Sequence, residues 1–215
     1  MIPAFQDTHS QNYAMKKYYK FQSKIYDSTR WMFLFGRTNL VHELPIARDA
    51  AIRILEIGCG TGYNLEKFAN YYVNAQLVGM DVSEDMIDLS KKKLAKYSNR
   101  IDLLPKAYGE DAFSRNSSFD VVVFSYALTM INPQWEELIE QAYKDIKPGG
   151  IIAVVDFHKS YNPIFKLHMK NNHVRMDGHL LPVLEDKFST LSSDVQSAYL
   201  GMWHYFSFVG IKSYQ

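Results

Sequence analysis

The sequence at residues 52–64 is Ile52-Arg53-Ile54-Leu55-Glu56-Ile57-Gly58-Cys59-Gly60-Thr61-Gly62-Tyr63-Asn64. Its first part, residues 52–57, is a short apolar run of the kind that forms a buried strand in a parallel sheet. Three alternate glycines follow, and glycine allows the tight turns that bring a backbone close to a ligand. The stretch therefore predicts a strand, a ligand-binding turn and a helix that starts from the turn.

The spacing of the glycines excludes two common nucleotide sites. No Lys-Ser or Lys-Thr pair follows them, as a phosphate-binding P-loop requires, and nicotinamide sites use the spacing G-x-G-x-x-G. The form found here, Glu-x-Gly-x-Gly-x-Gly, resembles the first motif of class I S-adenosylmethionine-dependent methyltransferases. The resemblance implies that the glycines approach the amino-acid end of the cofactor. The cofactor-binding candidates in this stretch are Glu56, Gly58, Gly60, Gly62 and Asn64.

Residues 76–83 predict a second strand that ends at an acid. Asp81 lies roughly twenty residues beyond the glycines, the distance at which an acid binds ribose hydroxyls in nucleotide sites of this kind. Asp81 alone would equally suit a helix cap or a turn, but its pairing with the glycines favours ribose binding. Ser83 is expected to cap a helix over residues 84–97. The neighbouring cofactor candidates are Val82 and Met86.

Length and composition indicate one globular α/β domain, since 47% of the 215 residues are hydrophobic and 22% are charged. The net charge of +1 offers no field to attract nucleic acid, so no nucleic-acid partner is expected. A single cysteine, Cys59, suits a reducing compartment, and the seven scattered histidines lack metal-binding spacing. No apolar run reaches the ~18 residues of a membrane span, and no signal-peptide pattern is present. A cytoplasmic protein, at most peripheral to a membrane, is therefore expected, with no metal and with its oligomeric state open.

Residues 1–44 are predicted to form a helical lid on a methyltransferase domain at residues 45–215. Aromatic and basic residues alternate between residues 13 and 26, and their spacing predicts an amphipathic basic helix. Its aromatic face can pack on the domain while its lysines stay solvated, and the lysines can also meet anionic lipid headgroups. The two interpretations are compatible. A second short helix is expected over residues 29–35, with Gly36 ending it.

The remaining chain predicts five more strands. They are expected at residues 100–104, 118–124, 151–156, 188–199 and 202–212. Asn132 and Pro133 are expected to cap and open a helix over residues 135–146. In the resembled family the last two strands form an antiparallel hairpin, and the total of seven fits. The predicted fold is an α/β, Rossmann-like, mostly parallel seven-stranded sheet with helices on both faces and an N-terminal helical lid.

Two segments beyond the glycine turn are expected to reach the cofactor. Ligands of open α/β sheets bind beyond the carboxyl ends of the strands, which places Ser125 and Tyr126 beside the cofactor and substrate. In methyltransferases the loop after the third strand contacts adenine. Residues 110–111 and the pair Ala107 and Tyr108 are alternative candidates for that contact.

Four segments together resemble a narrower family, the diacylglyceryl-homoserine N-methyltransferases of betaine-lipid synthesis. The segments are residues 18–37, 124–131, 154–157 and 180–210, so the resemblance covers most of the chain. The sequence departs from the family pattern in the adenine loop and at His158, where glycine is expected. The resemblance implies three methyl transfers from S-adenosylmethionine to a homoserine headgroup on diacylglycerol, with S-adenosylhomocysteine as product. It also implies a lipid substrate at a membrane surface and, as a candidate partner, an aminocarboxypropyl transferase.

The reaction needs an unprotonated amine aligned with the methyl group, and aromatic faces bind the quaternary ammonium product by cation–π attraction. Tyr26 is the candidate cap over the cofactor, with Arg30 pairing the cofactor carboxylate. Tyr26, Tyr126 and His158 are the catalytic candidates, the last two as aids to amine deprotonation. The substrate-binding candidates are Tyr13, Tyr18, Tyr19 and Trp31.

Three alternatives remain open from the residues alone. The acceptor can be phosphatidylethanolamine or a soluble small molecule instead of the betaine-lipid precursor. The transferred group can be aminocarboxypropyl instead of methyl. A non-catalytic accessory protein would carry the same glycines and Asp81, because these residues indicate cofactor binding only.

Overall fold

The computed structural model describes residues 34–109, 113 and 118–214. The helices are α1 (Arg37–Glu43), α2 (Tyr63–Tyr71), α3 (Glu84–Lys93), α4 (Trp135–Asp145), α5 (Pro163–Asn171) and α6 (Leu180–Lys187). The strands are β1 (Arg53–Ile57), β2 (Gln76–Met80), β3 (Ile101–Leu104), β4 (Phe119–Ser125), β5 (Ile146–Phe157), β6 (Ser189–Ala198) and β7 (Trp203–Ile211).

The seven strands form one sheet in the order β3-β2-β1-β4-β5-β7-β6. The first five are parallel, and β7 runs antiparallel between β5 and β6. Strand order reverses between β1 and β4, and ligands of open α/β sheets bind in the crevice at such a reversal. The predicted Rossmann-like sheet with its antiparallel C-terminal hairpin is confirmed.

Both faces of the sheet are covered by helices, which explains why its central strands are mostly apolar. Successive residues of β4 alternate between two apolar clusters, with Val121 and Val123 on one face and Val122 and Phe124 on the other. The first cluster contains buried side chains of α1, α2 and α3, and the second those of α4 and α6. A strand buried on both faces needs such a continuous run of β-branched residues.

The start of α4 corrects one prediction. The helix begins at Trp135 after Gln134, which makes no side-chain cap bond, and the peptide bond from Asn132 to Pro133 is cis. The Asn132 side-chain amide donates to the carbonyl of Thr129 at 2.7 Å, so it closes the preceding turn and does not cap the helix. The capping prediction for Ser83 is confirmed, since its Oγ accepts from the Met86 N–H at 3.4 Å.

The segment around Gly36 differs from the expected helix end. Residues 34 and 35 are not helical, and Gly36 is the residue before α1, with a φ of 78°. Leu40, Val41 and Leu44 are buried in the first cluster, and the Tyr72 hydroxyl donates to the carbonyl of Val41 at 3.0 Å. Residues 37–44 therefore pack as part of the domain. The predicted helices within residues 1–33 lie outside the described residues.

Gly79 of β2 provides a test of how closely α2 packs on the sheet. A Cβ atom there would lie 2.5 Å from Leu65 Cδ1 and 3.0 Å from Leu103 Cδ2. We expect Gly79→Ala to lower the free energy of unfolding by about 1–3 kcal/mol, the usual cost of overpacking. The measurement is urea unfolding followed by circular dichroism.

The matched control is Gly109→Ala, because no atom of the described residues lies within 4 Å of the Cβ that this change adds. Equal unfolding free energies for the two variants would contradict the close packing of α2 on β2.

Candidate functional site

The turn after β1 is built from backbone that only glycine adopts easily. Gly58, Gly60 and Gly62 have φ angles of 71°, 53° and 76°, in the left-handed region. A Cβ on Gly62 would also lie 2.7 Å from Leu94 Cδ1. The Gly58 N–H donates to the carbonyl of Met80 at 2.8 Å, so the turn is tied to the end of β2. The turn thus lies at the crevice where the strand order reverses.

Asp81 joins this turn to the start of α3. One carboxylate oxygen accepts from the Gly60 N–H and the other from the Ser83 N–H, both at 2.9 Å. The side chain is 7% exposed. Each carboxylate oxygen has further lone pairs, so the fixed carboxylate can also accept from a ligand hydroxyl. Val82 is partly exposed next to it, whereas the Met86 side chain is buried in the core below α3.

Glu56 is a buried acid at the end of β1 with one unsatisfied oxygen. Asn64 donates from Nδ2 to Glu56 Oε1 at 2.7 Å. Glu56 Oε2 and Asn64 Oδ1 are buried without a hydrogen-bond partner among the described residues. Burial raises the pKa of Glu56 to about 8, against the lowering effects of Asn64 and of the Arg37 charge. Two acceptor atoms therefore lie beside the glycine turn, where a ligand with N–H groups would satisfy them.

Arg37 of α1 is the basic residue that the structure places at this site. Its guanidinium carbon lies 4.4 Å from the ring centroid of Tyr63, and its charge lowers the pKa values of Glu56 and Tyr126. The prediction named Arg30, which lies outside the described residues. The sequence did not indicate that Arg37 would lie at the site, because it predicted that Gly36 ends a helix and not that a helix begins after it.

Tyr126 lies directly after β4 with a φ of 53°, and its hydroxyl donates to the carbonyl of Phe35 at 2.8 Å. Burial and the nearby Asp156 carboxyl raise its pKa well above the ordinary value, so the phenol stays neutral. Its ring meets that of Phe157 at 4.7 Å. The preceding residue, Ser125, has a buried Oγ with no hydrogen-bond partner among the described residues.

Asp156, which sequence reasoning missed, holds the loop after β4 in place. Its carboxyl accepts from the Thr129 N–H at 3.2 Å and the Phe157 N–H at 2.8 Å, and also from the Thr129 hydroxyl. Burial raises the pKa of Asp156 to about 6 although these donors oppose the shift. The loop that presents Tyr126 is therefore anchored to the end of β5.

An aromatic cluster continues from Tyr126 along the same face of the sheet. Phe35 lies 5.7, 6.4 and 6.0 Å from the rings of Tyr199, Trp203 and Tyr205. Phe165 of α5 stacks on Trp203 at 4.7 Å. Trp203 and Tyr205 share a face of β7 because side chains alternate along a strand. Their contact with Phe35 joins residues about 170 positions apart, so local periodicity carries no signal for it. We call Phe35, Phe165, Tyr199, Trp203 and Tyr205 the aromatic wall.

His158 lies on the other face of the sheet from Tyr126. Its ring is 6.0 Å from Phe206 in the second apolar cluster, whereas Tyr126 and Phe157 belong to the first. Burial and the charges of Lys159 and His204 lower the pKa of His158, and its buried Nδ1 has no hydrogen-bond partner among the described residues. Tyr126 and His158, the two residues predicted to assist amine deprotonation, are thus not brought together.

The loop after β3 is described only in part. Ala107 is exposed. Tyr108 is buried, and its hydroxyl donates to Asp145 of α4 at 2.6 Å, which together with burial raises its pKa. Residues 110–112 lie outside the described residues, as do the candidates at the N-terminus. Those candidates are Tyr13, Tyr18, Tyr19, Tyr26, Arg30 and Trp31.

Within residues 34–109 and 118–214, no three His, Cys, Asp or Glu side chains are grouped so as to hold a metal ion. In the same part of the chain, every helix is too short or too polar to span a bilayer.

The buried Glu56 carboxyl predicts a pH-dependent stability of the ligand-free protein. Its pKa is about 8 when folded and close to 4.5 when unfolded, so the folded state binds the proton more tightly. The contribution of the Glu56 proton to the free energy of unfolding is therefore complete below pH 4.5, and it is lost as the pH rises to about 8. We expect the unfolding free energy of Glu56→Gln relative to wild type to rise by about 1.4 kcal/mol per pH unit in this window.

The measurement is denaturant unfolding at several pH values between 5 and 8. Glu84→Gln, at an exposed position in the first turn of α3, is the control and should run parallel to wild type. A pH-independent difference between Glu56→Gln and wild type would contradict a neutral Glu56 in the folded protein.

Comparison with known proteins matches residues 54–150 to the family model described as a methyltransferase domain. A carboxy-S-adenosyl-L-methionine synthase of Trichodesmium erythraeum is 35% identical over 118 residues, which are 53% of this chain and 46% of that protein. The chain spans about half the length of the curated relatives it matches.

Solved structures share the fold at low sequence identity. A phosphoethanolamine N-methyltransferase of Haemonchus contortus, bound to phosphomonomethylethanolamine and S-adenosylhomocysteine, matches with a TM-score of 0.74 and 15% identity, over 93% of this chain and 60% of that one. A 1,6-didemethyltoxoflavin-N1-methyltransferase of Burkholderia thailandensis, also bound to S-adenosylhomocysteine, matches with a TM-score of 0.73 and 14% identity, over 100% and 94%.

Proposed function

We infer that the chain is a class I S-adenosylmethionine-dependent methyltransferase. The observation that carries this inference is the Asp81 carboxylate, fixed by the N–H groups of Gly60 and Ser83 beside three left-handed glycines. The methyltransferase-domain match over residues 54–150 and the sheet with its antiparallel β7 agree with it.

The residues at the glycine turn fit the cofactor. Asp81 would accept hydrogen bonds from the ribose hydroxyls. Glu56 Oε2 and Asn64 Oδ1, which lack partners among the described residues, would accept from the cofactor's ammonium group. Arg37 would pair with its carboxylate, because a guanidinium makes strong hydrogen bonds to carboxylates. When bound, S-adenosylmethionine supplies a methyl group on a sulfonium, which is reactive without further activation.

We propose that the methyl acceptor is the amine of a lipid headgroup, with diacylglyceryl-homoserine as the expected substrate. The resemblance of residues 18–37, 124–131, 154–157 and 180–210 to the betaine-lipid N-methyltransferases supports this acceptor. The aromatic wall supports it as well, because ring faces bind methylated ammonium groups by cation–π attraction of ~0.5–2 kcal/mol each.

The chain assists methyl transfer mainly through the apolar environment that it gives the acceptor amine, and not by accepting a proton. Apolar walls disfavour the charged form of an amine and so lower its pKa, which leaves more of the nucleophilic free base. Tyr126 and Phe157 contribute such an apolar surface at the ends of β4 and β5. The Tyr126 hydroxyl, which donates to Phe35, orients its ring and is not available as a base. Exclusion of water and alignment of the amine supply the remaining acceleration.

A second candidate acceptor is a phosphoethanolamine or phosphatidylethanolamine amine. It is favoured by the shared fold with the Haemonchus contortus enzyme, whose bound phosphomonomethylethanolamine is itself an amine. Small-molecule acceptors are a further alternative, given the fold shared with the 1,6-didemethyltoxoflavin-N1-methyltransferase. All these acceptors would use the same cofactor site, so the cofactor site cannot distinguish them. Identifying the methylated product by lipid analysis does.

The test is mass spectrometry of lipids from a heterologous host that expresses this chain, with and without an enzyme that makes diacylglyceryl-homoserine. We expect the trimethylated betaine lipid only when the precursor is present. Methylated phosphatidylethanolamine instead would move the function to the second candidate. A host expressing the Asp81→Ala variant controls for methylation by host enzymes.

Asp81→Ala also tests the cofactor site directly. We expect the affinity for S-adenosylhomocysteine to fall about ten-fold or more, since a hydrogen bond to a charged group contributes about 1.5–3 kcal/mol. Isothermal titration calorimetry with the purified chain measures it. Asp88→Ala is the matched control, because Asp88 is an exposed acid on α3 that pairs with Lys91. Unchanged affinity for Asp81→Ala would mean that the ribose lies elsewhere.

A further inference from the structure

Six large apolar side chains are exposed on α5, on the segment before it and on the turn between β6 and β7. Ile164 of α5 is 80% exposed, and Leu200, between β6 and β7, is fully exposed. Exposed apolar groups that form one surface commonly mark an interaction site. We call this surface the apolar patch, and its residues are Tyr161, Ile164, Leu167, Tyr199, Leu200 and Met202.

Trp203 connects the two halves of the apolar patch. Phe165 of α5 stacks on its ring at 4.7 Å, and Tyr199 meets the same ring at 4.8 Å. The Ser160 hydroxyl also donates to the carbonyl of Met202 at 2.7 Å. The segment before α5 and the turn between β6 and β7 are therefore held together, and their exposed side chains belong to one surface.

The backbone of the turn presents Leu200 to solvent at a conformational cost. Tyr199 and Leu200 have φ angles of 47° and 57°, in the left-handed region that disfavours large side chains. A leucine in such a position gains nothing from contact with water. Strained residues of this kind concentrate at sites that bind a partner. An apolar partner outside the chain would explain both the exposure and the strain.

The two sequence segments that carry the apolar patch are basic in composition. Residues 157–176 contain four Lys or Arg residues and no Asp or Glu, although the whole chain has 24 basic and 23 acidic residues. Residues 195–212, which include the turn, also lack Asp and Glu. Lys166 and Lys170 are exposed on α5, one helical turn apart and next to Leu167. The partner is therefore expected to be both apolar and anionic.

The apolar patch lies one layer of rings from the candidate acceptor site. Tyr199 contacts Phe35 at 5.7 Å, and the Phe35 carbonyl accepts the hydroxyl of Tyr126 at the end of β4. A surface that docks here would bring its molecules close to the carboxyl ends of β4 and β5.

We propose that the apolar patch, with Lys166 and Lys170, docks the protein onto an anionic lipid bilayer. The inference rests on the proposed lipid acceptor, which it deepens by assigning the contact surface to α5 and the β6–β7 turn. Tyr161, Tyr199 and the aliphatic side chains enter the interfacial region, as amphipathic surfaces of peripheral proteins do. The two lysines meet anionic headgroups. The bilayer thus presents headgroups to the aromatic wall.

The experiment is co-sedimentation of the full chain with phosphatidylcholine vesicles, with or without phosphatidylglycerol. We expect binding to vesicles that contain phosphatidylglycerol, and weakening by added salt. Ile164→Gln with Leu167→Gln, and Leu200→Asn separately, should each weaken binding at least five-fold. Asparagine tolerates the left-handed conformation of residue 200, so this change removes apolar surface without adding strain. The control pair is Val73→Gln with Leu89→Gln, exposed apolar residues outside the patch.

Charge reversal tests the electrostatic contribution of the two lysines to bilayer binding. Lys166→Glu with Lys170→Glu should weaken binding to phosphatidylglycerol vesicles more than ten-fold, as expected for loss of two cations near an anionic surface. Lys91→Glu with Lys92→Glu, on α3, is the control and should have a smaller effect. Every altered residue is exposed, and circular dichroism with S-adenosylhomocysteine titration verifies that each variant keeps its fold and cofactor site.

Each outcome separates this proposal from the proposed function. Patch variants that bind vesicles as wild type does would overturn the docking surface, even if the lipid acceptor is correct. Self-association through the patch in place of vesicle binding would also overturn it. Vesicle binding that depends on the patch, together with methylation of a water-soluble amine only, would support the docking surface and overturn the lipid acceptor.

Discussion

The hydrogen bonds that Asp81 accepts from the Gly60 and Ser83 N–H groups hold the candidate site together. They connect the turn after β1 with the start of α3, beyond the last paired residues of β1 and β2. The carboxylate also satisfies buried backbone donors that would otherwise be costly. Asp81, the proposed ribose acceptor, is thus already fixed before a ligand arrives, and a preorganised acceptor loses little freedom on binding.

The two halves of the site differ in chemical character because of where the strands end. The ends of β1 and β2 carry acids and glycines, which suit a polar cofactor. The ends of β4 and β5 carry Tyr126 and Phe157, anchored through the buried Asp156 carboxyl and Thr129. Apolar surroundings there favour a neutral amine and a cationic product bound through ring faces. This division agrees with the proposed amine methyltransferase.

Much of the fold follows from local patterns. Apolar runs separated by about 25 residues, glycines after the first and an acid after the second predict parallel strands with helical crossovers and a crevice at their ends. Ser83 has the side chain and position of a helix cap, and it caps α3. The start of α4 does not follow from its local sequence. Asn132 is a residue type that commonly caps helices, but its side chain donates to the turn before it.

The sequence by itself determined the glycine turn, Asp81 and the order of elements, because each depends on residues within about 25 positions of one another. Only the tertiary structure decided that Arg37 faces Glu56, that Tyr126 donates to Phe35, and that Tyr126 and His158 lie on opposite faces of the sheet. These relations join distant segments. They depend on strand order and side-chain direction across a folded sheet, which local periodicity does not encode.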